Sequence, residues 1–222
     1  MTLNLGVLPN VLFSPKTAFE SIKDKTTMGD GILMYILISA ISFILSSLIT
    51  LATLGSIVSP AGAAYEMTVA IVGFIVGLVI GIIFMIIIAL VAAKIATALT
   101  KGNYSLDKTV GFLGYAQIVG LIMSIVIILL IITMGNSAIG PGGGMSASAA
   151  GTIGILGIVT FIWQLYVNGA AVAVANDVGL GIGIVSYFIA ALIIGLIMVV
   201  VVVAAIAAIG LSMWSAGTFG GF

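Results

Sequence analysis

The sequence predicts an all-α integral membrane protein, a bundle of five transmembrane helices preceded by a short interfacial amphipathic helix. Of its 222 residues, 63% are hydrophobic and only 5% are charged, and the mean hydropathy is +1.46. A chain of this composition cannot stay dispersed in water as a globular monomer. Its apolar residues form five stretches, each with the ~20 residues that a helix needs to cross a bilayer. We therefore expect the lipid bilayer to be its solvent.

The chain divides into a short lead and a membrane domain. Residues 1–30 form a cytoplasmic lead, and residues 31–222 form the five-helix domain. The crossings are expected at about 31–54, 68–93, 109–134, 151–175 and 184–211. The first and third links carry proline and glycine and, apart from Glu66, no charge. We expect both to be flexible external loops.

The lead contains a start signal for a helix of about ten residues, because Ser14 and Pro15 are typical of the N-cap and the first helical position. Its polar side would carry Lys16, Glu20, Lys23 and Asp24. Its apolar side would carry Phe13, Ala18, Phe19 and Ile22. Such a pattern suits a helix lying in the headgroup region, and the alternative is a plain connector without membrane affinity of its own.

The cationic residues are distributed on one side of the predicted topology. The chain has no arginine, and its six lysines all precede the first crossing or lie between the second and the third. Because cationic loops resist translocation, the N-terminus is expected in the cytoplasm and the C-terminus outside, in the cell membrane of a prokaryote. The predicted cytoplasmic face carries Lys16, Lys23, Lys25, Lys101, Lys108 and Asp177. Asp177 is expected to be solvated at the headgroup boundary, or else to contact Lys101 or Lys108.

Small residues indicate how the crossings pack, since lipid tails are as apolar as leucine and close backbone approach must hold helices together. The second crossing carries Gly73, Gly77 and Gly81 at positions i, i+4 and i+8. This smooth groove favours packing against another helix of the same chain. A homodimer face and a solute path are the alternatives.

Few polar side chains lie inside the predicted crossings. Gln117 in the third and Asn168 in the fourth each lie ~10 Å from the cytoplasmic end. Gln164 shares a helical face with Asn168, and Tyr115 and Trp163 flank the group. We expect this polar cluster to form hydrogen bonds between helices. A polar pocket open to the cytoplasm, or chance placement at the surface, is the alternative.

Composition also excludes several classes of site. The chain has no cysteine and no histidine, so disulfides, zinc and haem sites, thiol catalysis and histidine-based acid–base chemistry have no residues to carry them. We predict no catalytic, cofactor or metal residues. With a formal net charge of zero, the chain also lacks the cationic surface that nucleic acid requires.

Two short motifs resemble the Yip1 domain family. A glycine-bearing loop, 102–109, leads into a helix that reads Gly111-Phe112-Leu113-Gly114-Tyr115-Ala116-Gln117, and the stretch 14–22 is similar to the family's Pro-led amphipathic start. Five crossings and a cytoplasmic N-terminus also match. The proline that the family usually has shortly after the tyrosine is absent, with Val119 and Gly120 there instead, so no proline is present to kink the third helix.

The resemblance implies a role in the membrane rather than an enzyme. Eukaryotic members are implicated in endoplasmic reticulum to Golgi traffic and contact prenylated Rab-type GTPases through a longer N-terminal region. That region has only about thirty residues here, as in compact prokaryotic members, so GTPase binding is not carried over.

We therefore expect a non-enzymatic scaffold or membrane-organising protein that binds lipid and other membrane proteins or forms a homo-oligomer. The alternative is a passive channel or transporter for a small solute, lined by Gln117, Gln164 and Asn168. None of the six acidic residues lies at mid-membrane depth, so ion coupling has no carboxylate relay.

Overall fold

The computed structural model describes residues 3–54, 60–134 and 146–215. It contains five helical stretches long and apolar enough to cross a membrane, which confirms the predicted all-α membrane fold. The long helices are α3 (Met28–Leu54), α4 (Pro60–Leu99), α7 (Ala147–Ala175) and α8 (Leu180–Ser215), with the third crossing formed by α5 (Leu106–Ala116) and α6 (Ile118–Met134). Two short helices, α1 (Leu8–Phe13) and α2 (Pro15–Ile22), precede them after a 3₁₀ turn, Leu5–Val7.

The helices extend further than the apolar stretches alone indicate. The fourth crossing begins at Ala147, directly after Ser146, whose hydroxyl accepts a hydrogen bond from the Ala149 amide at 3.3 Å. This serine is therefore an N-cap. The second crossing begins at Pro60, inside the loop expected around 55–66. Residues 55–59 and 135–145, where the two external loops were predicted, lie outside the described residues.

The third crossing is interrupted at Gln117 although no proline is present. The Gln117 backbone amide donates to the Gly114 carbonyl at 3.3 Å, three residues back. The Leu113 carbonyl, which this amide would reach in a regular α-helix, instead accepts from the Gln117 side-chain Nε2 at 3.2 Å. A side chain that enters the hydrogen-bond ladder is a recognised cause of a helix break. Gln117 therefore separates α5 from α6.

Buried side chains concentrate in one half of the bundle. Apart from Ala149, the buried apolar residues of the crossings fall within 34–38, 85–96, 110–123, 167–175 and 190–194. We call the half of the bundle that contains these ranges the packed half. Most large apolar side chains elsewhere are exposed, within 41–48, 65–83, 126–132, 155–166 and 196–206. We call this the open half, and its apolar surface is suited to lipid.

Glycines allow two pairs of helices to touch backbone to backbone in the packed half. A methyl group at Gly114 of α5 would collide with the backbone of Gly31 in α3. One at Gly183 of α8 would collide with the Gly169 carbonyl of α7. Such close approach maximises dispersion contact where the hydrophobic effect gives no driving force.

The N-terminal segment is part of the packed half. Ala18, Phe19 and Ile22 of α2 are buried within the protein, and Phe19 stacks on Phe112 of α5 with ring centroids 5.0 Å apart. Ser14 occupies the N-cap position, but its side chain makes no capping hydrogen bond. The amphipathic helix is thus present, yet its apolar side faces other helices instead of headgroups. Phe13, predicted on the same apolar side, is the last residue of α1 and is 79% exposed.

Candidate functional site

The polar residues gather where the N-terminal segment meets the α4–α5 and α7–α8 links. We define this polar cap as residues 23–30, 100–109 and 176–179. Lys23 forms an ion pair with Asp177, and Asn103 Nδ2 donates to the other Asp177 oxygen at 3.2 Å. Lys108 lies 3.9 Å from Asp24. The cap therefore joins three segments that are far apart in the chain.

Asn176 is the buried centre of this cap. Its side-chain Oδ1 accepts from the Ser105 amide at 2.9 Å, and its Nδ2 donates to Thr109 Oγ1 at 3.0 Å and to the Val172 carbonyl at 2.9 Å. Its own carbonyl accepts from the Asn103 amide at 2.9 Å. Both polar groups of this side chain are thus hydrogen-bonded, as burial requires, and they join α7 to the α4–α5 link and the start of α5.

The cap also supplies hydrogen-bond acceptors for the backbone amides at the start of α3. Thr27 and Asp30 form a capping box, in which Asp30 Oδ2 accepts from the Thr27 amide at 2.9 Å and from its hydroxyl at 2.8 Å. Asp107, from the start of α5, accepts from the Met28 amide at 2.8 Å. Two carboxylates at a helix N-terminus also interact favourably with the helix dipole. These contacts fix α3 against α5.

Asp177 terminates α7 in a left-handed conformation, with φ of 54°. The following amide, from Val178, donates to the Ala173 carbonyl at 3.0 Å, which is the long hydrogen bond of a Schellman motif. The hydrogen bond from Lys23, followed by that from Asn103, lowers the pKa of the Asp177 carboxyl below its ordinary value. The two donors offset the unfavourable position of an anion at a helix C-terminus.

The predicted cytoplasmic face is only partly assembled as expected. Asp177 pairs with Lys23, not with Lys101 or Lys108, because the N-terminal segment folds back beside the α7–α8 link. Lys16 lies 3.9 Å from Glu20 on exposed α2. Lys25 and Lys101 are exposed, and neither forms an ion pair with any described residue. The cap thus keeps exposed cations on its surface.

The predicted polar cluster of Tyr115, Gln117, Gln164 and Asn168 is not joined by hydrogen bonds in the described part of the chain. Tyr115 accepts through its hydroxyl from the Asn4 amide at 3.0 Å. Trp163 donates through Nε1 to the Leu12 carbonyl at 3.0 Å. The two aromatic residues expected to flank the cluster therefore hold the N-terminal segment, which the sequence interpretation placed outside the bundle.

The three amides of that cluster have different surroundings. Gln117 bonds within its own helix, and Gln164 is half-buried. Asn168 is fully buried, and neither atom of its amide has a partner among the described residues. The hydrogen bond between helices that was expected of Asn168 is therefore not present.

The glycines of α4 also differ from expectation. A methyl group at Gly81 would collide with the Tyr35 hydroxyl of α3, so this glycine does accommodate a neighbour. Methyl groups at Gly73 and Gly77 would meet nothing within 4 Å. The predicted packing face thus contacts another helix only at its third glycine.

A cleft of about 460 Å³ lies between α3, α4 and α6. We call it the serine cleft. Its polar lining consists of Tyr35, Ser39, Ser42, Ser46, Gln117 and Ser124. Phe43 and Phe74 also line it and stack with centroids 4.4 Å apart. Of the three residues predicted to line a solute path, Gln117 lines this cleft, and Gln164 and Asn168 do not.

The sequence interpretation missed two sets of residues. Val7 and Val11 are buried, with 5% and 0% of their surface exposed. Their i, i+4 spacing is typical of a buried helical face, and it could have predicted that the N-terminal segment packs against the bundle. The hydroxyl groups of α3 were visible too. Nothing in the sequence, however, shows that α3 and α4 separate beside them.

The described residues offer a binding surface more readily than a reactive centre. The carboxylates of the cap are held by backbone amides, lysines or an asparagine. No group of three or more histidine, cysteine, aspartate or glutamate residues that could hold a metal ion occurs among the described residues. The cap is thus arranged to hold segments together.

Comparison with known proteins gives one match. The family model of the Yip1 domain matches residues 10–205, from the middle of α1 into the last third of α8. Neither the curated proteins nor the solved structures contain a match.

Proposed function

Because the chain belongs to the Yip1 domain family, we propose that it is a non-enzymatic membrane-organising protein that binds other membrane proteins through its polar cap. This proposal rests on the ion pair and the hydrogen bonds within the cap. Lys23, Asn176 and Asp107 each bond a segment distant in sequence. A surface built this way is already ordered before a partner arrives, which reduces the entropy lost on binding.

The exposed part of the cap has a composition suited to protein contact. Tyr104 is 48% exposed and lies close in sequence to the exposed Lys101 in the α4–α5 link. Leu99, the last residue of α4, is 57% exposed beside the cap. Tyrosine is enriched at the centre of protein interfaces, whereas lysine is depleted there and suits the polar rim. This link is therefore the proposed contact surface.

The proposed orientation places the cap in the cytoplasm. All six lysines occur in or beside the segments that form it, and the positive-inside rule favours a cytoplasmic location for such segments. The C-terminus would then lie outside the cell. The membrane would be the cell membrane of a prokaryote. Partners of this surface would be cytoplasmic domains of membrane proteins or a second copy of the chain.

Site-specific photo-crosslinking in intact cells tests this proposal. A benzoylphenylalanine residue replacing Tyr104 should yield a discrete protein adduct that disappears when Lys101→Glu is added. The matched control replaces Tyr65, which is 72% exposed near the start of α4, and should yield no such adduct. Identical adducts from both positions, or none from Tyr104, would contradict binding at the cap.

A further inference from the structure

One wall of the serine cleft is the hydroxyl-bearing face of α3. Its hydroxyl groups follow one another at i, i+4, i+7 and i+11, on Tyr35, Ser39, Ser42 and Ser46. The opposite face of the same helix carries the exposed side chains Leu37, Ile41, Ile44 and Leu48. Thus α3 carries apolar groups on one side and hydroxyl groups on the side that lines the cleft, where Ser39 and Ser42 are half-buried and Ser46 is exposed.

Two serine hydroxyl groups on this face have no hydrogen-bond partner among the described residues. Other hydroxyl-bearing residues of the crossings, such as Ser124 and Thr160, donate to the carbonyl four residues back. Ser39 and Ser42 make no hydrogen bond with any residue in the described ranges. An unpartnered hydroxyl in an apolar medium is unfavourable, so an occupant that can hydrogen-bond would be stabilised there.

The lining limits what that occupant can be. No charged residue contributes to the cleft, whose remaining walls are Ile38, Phe43, Phe74, Leu78 and Leu121 with two glycines. A phosphate or carboxylate would find no cation to neutralise it. A volume of about 460 Å³ falls within the range of small-molecule sites, and the apolar walls suit a hydrocarbon chain.

We propose that the serine cleft binds the uncharged polar end of a neutral membrane lipid, an amphiphile with hydroxyl or ester groups and long hydrocarbon chains. The free hydroxyl groups of Ser39 and Ser42 bond the polar end, and the side-chain carbonyl of Gln117 accepts from a ligand hydroxyl. The hydrocarbon chains leave along the apolar walls towards the open half. This site shares no residue with the polar cap and is independent of the function proposed for the cap.

Photolabelling of the full-length protein in lipid nanodiscs tests the site. The probe is a photoactivatable diacylglycerol, and mass spectrometry locates the labelled residues. We expect labels within 35–46, 74–78 and 117–124. The double variant Ser39→Ala with Ser42→Ala should be labelled about fivefold to tenfold less than the wild type, because two hydrogen bonds within the membrane are lost. Ser47→Ala, on the same helix but outside the cleft, should label like the wild type.

A second variant does not depend on the hydroxyl groups. Gly77 lines the cleft, and a methyl group there would meet nothing within 4 Å, so Gly77→Leu should fill the space without disturbing the packed half. It should reduce labelling to a similar extent at an unchanged melting temperature. A photoactivatable phosphatidylglycerol should label lipid-facing residues but not the cleft.

Four results would overturn the proposal. They are wild-type labelling in both cleft variants, labels spread evenly over the lipid-facing surface, equal cleft labelling by the anionic probe, and a water permeability of proteoliposomes above that of empty vesicles that the double serine variant abolishes. The last result would assign the cleft to water or a small solute instead.

Discussion

At the scale of single residues, Asn176 and Asp177 explain how the α7–α8 link is held. Asn176 is fully buried and bonds both the α4–α5 link and its own helix. Asp177 adopts a backbone conformation that asparagine and aspartate tolerate better than most residues. The adjacent pair therefore combines a buried amide, which fixes position, with an exposed carboxylate, which attracts Lys23.

The ion pair between Lys23 and Asp177 should contribute modestly and in a pH-dependent way. The Asp177 side chain is 48% exposed, so Asp177→Asn should lower the free energy of unfolding by no more than about 1 kcal/mol at neutral pH. Since folding lowers the pKa of Asp177, this contribution is present above the unfolded pKa of about 3.9 and is lost as the pH falls through the lower folded value.

Melting curves of the detergent-solubilised protein at pH 7 and pH 3 measure this effect. The wild type should melt above Asp177→Asn at pH 7, and the difference should shrink at pH 3. Asp24→Asn is the matched control, since its carboxylate is 98% exposed and lies 3.9 Å from Lys108. A difference that stays constant with pH would show that the charge of Asp177 is not its source.

At the scale of elements, the stretch that resembles the family motif is the one that assembles the cap. Ser105 caps α5, Asp107 caps α3, and Thr109 bonds Asn176. Phe112 stacks on the N-terminal segment, and Tyr115 bonds its backbone. The motif is therefore a set of contacts between α5 and its neighbours, and its loop and helix act together.

Replacement of glycine by alanine should lower the stability of the protein at Gly114 but not at Gly77. In Gly114→Ala, the added methyl group meets the backbone of Gly31, so α3 and α5 must move apart, with an expected loss of at least about 2 kcal/mol in the free energy of unfolding. In Gly77→Ala, the methyl group meets nothing within 4 Å, and stability should be unchanged. Thermal unfolding in a mild detergent compares the two. Equal melting temperatures would contradict the close α3–α5 contact.

The sequence predicted the helices better than their partners, for a physical reason. A span of apolar residues in lipid must be helical, because every backbone group needs an internal hydrogen bond. Partner choice depends instead on contacts between distant residues, such as Lys23 with Asp177 or Tyr115 with Asn4. Likewise, the i, i+4, i+8 glycines of α4 were visible, but only the fold distinguishes Gly81, which contacts Tyr35, from Gly73.

At the scale of the whole molecule, the two halves of the bundle have different roles. The packed half contains the polar cap, the N-terminal segment and nearly all buried side chains of the crossings. The open half exposes long apolar faces of α4, α7 and α8. This asymmetry along the helices does not follow from hydropathy, since α4 is apolar in both halves and carries a single charged residue, Lys94, within 67–99.

The proposed orientation is testable because the chain has no cysteine. A membrane-impermeant maleimide should label Tyr65→Cys on intact cells, whereas it should label Lys101→Cys only after permeabilisation. Both side chains are exposed, so neither result depends on burial. Labelling of Lys101→Cys on intact cells would reverse the assignment of the cap to the cytoplasm.

The concentration of side-chain contacts in the packed half has a consequence for how the molecule comes apart. Regions with few buried contacts open at low free-energy cost, and densely packed ones open only with global unfolding. We therefore expect the ends of α4, α7 and α8 in the open half to separate at a lower free-energy cost than the packed half. Such local opening would let one end of the bundle adjust to bilayer thickness while the contacts among the lysines of the cap stay in place.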